Sequence, residues 1–287
     1  MFSNSSNFKT YIKKKASSLN IDINYGYQNY LLQCVAQKIS KSKYKDELVY
    51  KGGFVLSSII GIETRSTMDI DLTIKSKSFS YDDLYNMFKE ICSIEIECPF
   101  IFSIDHISNE MNTKDENGYK VILLAKYDNL KFNVKIDISC GSLIYPKDIN
   151  YVAHGSMIDK DINILTYPIE NIIAEKYETL IDRGITNSRM RDFYDLFILL
   201  SNEKEYNINR KLLIKTLHEV AKNRNTIGTL NNSVKVINEI EISTEFNKYW
   251  LNYISDINIA AKTIETKDIF NQLRNVANEY IDEYKNK

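Results

Sequence analysis

Residues 51–75 read KGGFVLSSIIGIETRSTMDIDLTIK. From Met68 onward the stretch alternates strictly. Met68, Ile70, Leu72 and Ile74 are apolar, whereas Asp69, Asp71, Thr73 and Lys75 are polar, a period of two that specifies a half-buried strand. Residues two apart on a strand point to the same side, with Cα atoms roughly 6.5 Å apart. Asp69 and Asp71 therefore project together. Carboxylates so placed repel each other unless a cation lies between them, and paired hard divalent ions about 3.5–4 Å apart carry phosphoryl and nucleotidyl transfer.

At the other end, LVYK reads as a short strand stopped by Gly52 and Gly53, and FVLSSIIG as a short helix entered from the glycine pair. Glycine leaves backbone N–H groups open to close approach, and the following helix turns its positive end toward an anion such as a triphosphate. No G-K-[ST] follows, so this is not a P-loop. Arg65 and Ser66 stand just before the aspartate strand, where a guanidinium can grip a phosphate bidentately. The same residues also fit a plainer arrangement: a solvated edge strand, a Gly-Gly turn, and an Arg65 paired with Glu63 or one of the aspartates.

A metal site of this type takes a third carboxylate from a neighbouring strand. Tyr119–Asp128 and Leu130–Ser139 read as two strands joined by a turn at Asp128-Asn129. In the second, Phe132, Val134, Ile136 and Ile138 face one way, so Asn133, Lys135 and Asp137 face the other. Asp137, in Ile136-Asp137-Ile138, has the matching position.

Residues 1–43 read as helical, and Asp82–Ile91 as a helix opened by Asp82 or Asp83. Beyond about residue 160 strand signals largely stop. Pro168 is expected in the first turn of a helix, PIENIIAEKYETLI; further helices cover RMRDFYDLFILLSN, 209–223 and 266–284. The expected class is α+β: a mixed sheet flanked by helices over residues 1–160, followed by a mainly helical domain over 161–287.

Composition fits an ordinary globular protein, with 44% hydrophobic and 26% charged residues, 3 prolines and 9 glycines. The net charge of -1 argues against broad non-specific nucleic-acid binding. Three of the seven arginines, Arg183, Arg189 and Arg191, cluster. The four cysteines form no C-x-x-C pair and have no histidine at zinc-like spacing, so free thiols are expected. The first twenty residues lack the apolar core of a signal peptide, and no apolar run approaches the ~20 residues that span a bilayer. A cytoplasmic monomer is the expectation.

Taken in order, the motifs form a set. K-G-G-x-x-L falls at Lys51–Leu56, R-x-[ST]-x-D-I-D-L at Arg65–Leu72, the I-D-I strand at 136–138, A-E-K at Ala174–Lys176 and R-D-x-Y-D-L at Arg191–Leu196. This set, over about residues 45–200, resembles the AbiEii/AbiGii-type nucleotidyltransferase toxins of type IV toxin–antitoxin and abortive-infection (phage-defence) systems. The resemblance implies a DNA-polymerase-β-like nucleotidyltransferase domain. It implies that Asp69 and Asp71 hold Mg²⁺, two ions in all, with Asp137 as third ligand and an NTP as substrate. It makes Lys176 and Asp192 the essential pair of the helical domain, Lys176 serving the nucleotide, and Asp195 the second aspartate of the last motif. It also implies transfer of NMP to an RNA 3′ end, foremost the tRNA acceptor stem, blocking translation. A cognate antitoxin, which need not bind the toxin directly, is implied too. Many nucleotidyltransferases carry Gly-Ser in the phosphate loop; here the second position is Gly53, which leaves more of that work to backbone N–H groups.

Read from the residues alone, Lys176 borders the apolar face formed by Ile172, Ile173, Tyr177, Leu180 and Ile181, where lysines snorkel or reach a phosphate. Asp192 and Asp195 are neighbours on one helix face, beside the arginines, which also fits a structural Arg–Asp network. On the 210–224 helix, Lys211, Lys215, His218 and Lys222 form a stripe opposite Leu213, Leu217 and Val220, suited to an RNA backbone or simply solvated. Two alternatives compete with the RNA-directed enzyme. One is a nucleotidyltransferase acting on a small molecule such as an antibiotic, and the other is a non-catalytic nucleotide-binding protein. The intact carboxylate set argues against the last.

Overall fold

The computed structural model describes residues 2–76, 79–112, 116–256 and 260–285. The chain divides into two compact units: Met1–Ser142 with Asp148–Tyr167, and Leu143–Lys147 with Pro168–Lys287. The division falls at Tyr167, beyond the expected residue 160.

The first unit contains the strands β1 (Leu48–Lys51), β2 (Asp69–Ile74), β3 (Ile101–Asn112), β4 (Glu116–Tyr127), β5 (Leu130–Cys140), β6 (Ile149–Gly155) and β7 (Lys160–Thr166). Its helices are α1 (Ser5–Ser18), α2 (Ile23–Ser40), α3 (Gly52–Ile60) and α4 (Tyr81–Ser93). The strands make one seven-stranded mixed sheet in the order β3-β4-β5-β2-β1-β7-β6. β2 runs antiparallel to β1 and parallel to β5. It is therefore central, which removes the solvated-edge reading of its aspartates.

Period-two alternation separates the two faces of the sheet. Tyr50, Ile70, Leu72, Ile74, Val134, Ile136 and Ile138 are buried on one face, and α2 and α4 pack in this unit's core. Asp69, Asp71 and Thr73 lie on the other face, beside Lys135, Asp137 and Ser139 of β5. The turn at Asp128-Asn129 forms as its residue types specify, with Asp128 at φ 49° in the left-handed region that Asp and Asn tolerate.

Several boundaries differ from the expectation. β7 contributes a strand beyond residue 160, its Ile162 and Ile164 buried. α4 is capped by Ser80, whose hydroxyl and Asp83 form a reciprocal capping box. Pro168 is the N-cap of the next helix and keeps extended backbone, rather than lying in its first turn.

The second unit is built from α5 (Ile169–Arg183), α6 (Met190–Ser201), α7 (Arg210–Asn223), α8 (Ile227–Leu230), α9 (Ser233–Glu241), α10 (Thr244–Asp256) and α11 (Thr266–Tyr284). α5 packs on α6 and α7, and α11 on α6, α7 and α9. Trp250, which carries no functional signal in the sequence, is a core residue beside Phe246, and Phe246 meets Phe193 and Phe270 at 5.0 and 4.9 Å. Among the described residues no helix is long and apolar enough to cross a membrane.

Candidate active site

The site starts where β1 gives way to α3. Gly52 has φ +59°, and a Cβ there would stand 2.3 Å from Asp71 Oδ2. A Cβ on Gly53 would stand 2.6 Å from Arg65 Nη1 and 2.7 Å from Thr67 Oγ1. Both glycines are thus required by the protein's own packing. The Gly53 N–H donates to Asp71 Oδ2 over 3.3 Å, so the helix entrance is turned onto the aspartate strand.

Arg65 is buried, and its Nη1 donates to the carbonyls of Gly53 at 3.3 Å and Ser66 at 3.1 Å. The guanidinium supports the glycine turn and fills the space that Gly53 leaves. Ser66 takes part through its carbonyl. Thr67, also buried, donates its hydroxyl to Asp69 Oδ1 at 3.1 Å and so orients that carboxylate.

Strand register assembles the acidic set. Lys51 is the Cα partner of Asp71 on β1, and Asp137 is the partner of Asp71 on β5; Asp69 is paired with Lys135. The Lys135 ammonium lies 2.6 Å from Asp137 Oδ2 and 3.6 Å from Asp69 Oδ2. Lys51 Nζ donates to Ser139 Oγ at 2.9 Å and stands 5.8 Å from the Tyr167 ring centroid. Thr73, Ser139, Ser142 and Tyr167 continue this polar network.

The electrostatics follow from that crowding. The Asp71 carboxyl titrates above its usual range, first through burial and next through the charge of Asp69; Asp137 adds to the rise, while Lys51 and the Gly53 N–H oppose it. Burial pulls the Lys135 pKa down, but its hydrogen bond to Asp137 and the charges of Asp137, Asp69 and Asp71 outweigh that and leave it raised.

The donor set suits a hard divalent cation such as Mg²⁺, since it is made of carboxylate oxygens alone. Asp137 Oδ1 is buried without a hydrogen-bond partner, an uncommon state that a bound cation relieves. In the present side-chain arrangement, no three His, Cys, Asp or Glu side chains converge on one ion position among the described residues. The Lys135 ammonium lies between Asp137 and Asp69 in this arrangement. The residue types and register fit the metal.

Two buried amides hold the mouth of the site. On α2, Gln28 Nε2 donates to the carbonyls of Met68 at 3.0 Å and Asn133 at 3.3 Å, and Asn29 Nδ2 donates to Thr67 O at 3.0 Å. These bonds fix where β2 and β5 begin relative to each other. Nothing in the sequence marks them, because a polar residue in a helix looks solvent-facing. Lys135 was more accessible, since the alternation of β5 already set it beside Asp137.

In the second unit, Lys176 on α5 pairs with both Asp192 and Asp195 on α6, the latter at 3.0 Å. Asp195 is fully buried and Asp192 nearly so. A lysine from the neighbouring helix is therefore a partner of both aspartates. Arg183 and Arg189 are exposed. On α7, Lys211, Lys215 and Lys222 are exposed while Leu213, Leu217 and Val220 are buried. His218 leaves the stripe: its ring stacks on Tyr284 with centroids 4.0 Å apart, and Nδ1 lies 3.2 Å from the Tyr280 hydroxyl.

The family model described as nucleotidyl transferase AbiEii toxin, type IV TA system, matches residues 33–276. The chain belongs to this family. It is thus a nucleotidyltransferase of the AbiEii toxin family, as the ordered motifs led us to expect, and a type IV toxin–antitoxin family implies a cognate antitoxin. Among solved structures, JHP933 from Helicobacter pylori shares its fold at 17% identity, with a TM-score of 0.53 covering 92% of this chain and 94% of that one. A second H. pylori structure has 16% identity and a TM-score of 0.47 over 92% and 96% of the two chains. An antigenic nucleotidyltransferase-like protein from Paracoccidioides brasiliensis has 14% identity and a TM-score of 0.38 over 70% and 91%. Comparison with curated proteins finds no match.

Proposed function

We propose that this AbiEii-family protein transfers a nucleoside monophosphate from an NTP to the 3′ end of an RNA, foremost the acceptor end of tRNA, and so stops translation. The observation that carries the chemistry is the register of β2 with β5, which sets Asp137 beside Asp71 and leaves Asp137 Oδ1 buried and unpartnered. Asp69 and Asp71 would hold Mg²⁺, with Asp137 as the third ligand. Bound there, the metal would supply charge neutralisation for the triphosphate and for the entering 3′-oxygen.

The chain's own groups have distinct tasks in this reading. Thr67 keeps Asp69 in one orientation, and Arg65 holds the Gly53 turn from beneath. Gly52 and Gly53 allow the backbone to approach the β2 carboxylates and the phosphates alike. Lys51, held beside Asp71, adds a positive charge on the same face. In the reaction the RNA 3′-hydroxyl gives up its proton to water, its oxygen forms a bond to the α-phosphorus as the bond from that phosphorus to the α–β bridging oxygen breaks, and pyrophosphate leaves. Lys176 and Asp192 are assigned as further required residues, carried by the second unit.

RNA is favoured as the acceptor by the three exposed lysines of α7, spaced along one face as a phosphate backbone requires. The acceptor test is direct. The purified protein is incubated with Mg²⁺, each α-labelled NTP in turn, and either total tRNA or an aminoglycoside. Label on tRNA is the expected outcome; label on the aminoglycoside alone would replace RNA with a small-molecule acceptor.

A further inference from the structure

Lys135 stands at the centre of the acidic face. It is the Cα partner of Asp69, and it lies two residues before Asp137 on the same side of β5. One ammonium serves two carboxylates, at 2.6 Å and 3.6 Å, while the second oxygen of Asp137 is buried without a partner. Such an arrangement satisfies charge but leaves an oxygen lone pair unsatisfied. A lysine is a compact point charge on a flexible four-carbon stem. Its side chain here is 39% exposed, so the stem has a way out toward solvent.

We propose that Lys135 is the resident counter-ion of the site. It neutralises Asp69 and Asp137 in the metal-free protein, is displaced from them by a divalent cation, and then offers its ammonium to the phosphates of the nucleotide. This rests on the reading of Asp69, Asp71 and Asp137 as metal-holding residues. The physical reason for such a device is the sheet register itself. Three carboxylates on adjacent positions of two central strands repel one another, and a built-in cation lets the strands pair before metal arrives. A permanent Lys–Asp clamp of purely structural use makes the opposite forecast, that Lys135 stays in place when metal binds.

Two measurements on nucleotide-free protein separate these. In the first, Mn²⁺ affinity is determined by electron paramagnetic resonance for the wild type, Lys135→Gln, Lys135→Met and Asp69→Asn. Both neutral Lys135 variants are expected to bind Mn²⁺ about tenfold more tightly, the effect of removing a competing unit charge from contact with two carboxylates. In the second, wild-type protein is treated with acetic anhydride, with EDTA or with saturating Mn²⁺, and Lys135 acetylation is read by peptide mass spectrometry. Acetylation of Lys135 is expected to rise several-fold with Mn²⁺ while that of Lys211 stays level.

Unchanged or weaker Mn²⁺ affinity in both neutral variants overturns the proposal, as does Lys135 labelling that fails to rise with Mn²⁺. The labelling measurement decides alone if the variants do not fold. Asp69→Asn distinguishes the two levels of the argument. If it binds Mn²⁺ as well as the wild type, or if no form binds Mn²⁺, the metal-site reading falls and Lys135 falls with it. If Asp69→Asn loses Mn²⁺ and the Lys135 variants match the wild type, only the role of Lys135 falls.

Discussion

Gly52 and Asp71 fit together only because Gly52 has no side chain: a Cβ there would stand 2.3 Å from Asp71 Oδ2, on a residue already at φ +59°. The glycine pair and the aspartate strand are thereby one steric unit. Gly52→Ala is expected to cost about 1–2 kcal/mol for left-handed backbone alone. It is further expected to push Asp71 off its position and to lower kcat by about 100-fold, as for a misplacement near 1 Å. Urea unfolding and steady-state kinetics check the two effects separately. Full activity in Gly52→Ala would mean that the Asp71 position is not critical.

Asp71 also makes stability depend on pH in a defined direction. Its folded pKa is raised, by burial first and then by the charge of Asp69. A carboxyl raised in the folded state binds protons more tightly there than in the unfolded chain, so its contribution is fully present below the unfolded carboxylate pKa. That contribution is lost as pH rises through the folded pKa, and at neutral pH the ionised group disfavours folding. Asp71→Asn is therefore expected to raise the Tm of the EDTA-treated protein at pH 7, with the gain shrinking as pH falls through the raised folded pKa and levelling off at its minimum below the ordinary carboxylate range. The same variant is expected to be inactive.

Lys176 is the cation for a fully buried aspartate, Asp195. Lys176→Met removes an ion-pair partner of this buried carboxylate, and breaking a buried pair typically costs about 3–5 kcal/mol. A fall of that size in the unfolding free energy is expected from denaturant titration. Lys176→Arg, which keeps the charge, should recover most of the stability. Equal stability in Lys176→Met would show that water or another group satisfies Asp195.

The α7 lysines Lys211, Lys215 and Lys222 are exposed, and Lys215 lies 5.8 Å from the centroid of the Tyr145 ring. The triple change Lys211→Gln, Lys215→Gln, Lys222→Gln is expected to weaken RNA binding and to leave Tm unchanged. Its slope of log affinity against log salt should be smaller in magnitude by about 2, from about 0.7 per single-strand phosphate contact. An unchanged slope would move the RNA-binding face elsewhere.

What the sequence made legible was mostly local. The alternation of Met68–Lys75 and of Phe132–Ile138 set the faces of two strands, and the Asp-Asn turn between β4 and β5 announced itself through residue type. Pairing was not legible, because register is fixed by contacts far apart in the chain. Nothing in Lys51 alone says that it faces Asp71, and nothing in Asp137 alone says that it lies beside Asp71. An arginine next to an acidic strand suits a phosphate, but the burial of Arg65 against Gly53 depends on the turn's three-dimensional shape. Gln28 and Asn29 were invisible for a similar reason, since their partners include carbonyls just before β2, 40 and 38 residues away.

The central claim is that Asp69 and Asp71 direct nucleotidyl transfer to RNA, and one labelling experiment tests it most directly. Wild type and Asp69→Asn, matched for folded fraction, are given total tRNA, Mg²⁺ and the same NTP labelled at the α- or the γ-phosphate. The account predicts α-label on tRNA with the wild type, γ-label released as pyrophosphate, and no transfer by Asp69→Asn or in EDTA. Label on tRNA from the γ-position, or equal transfer by Asp69→Asn, would contradict it.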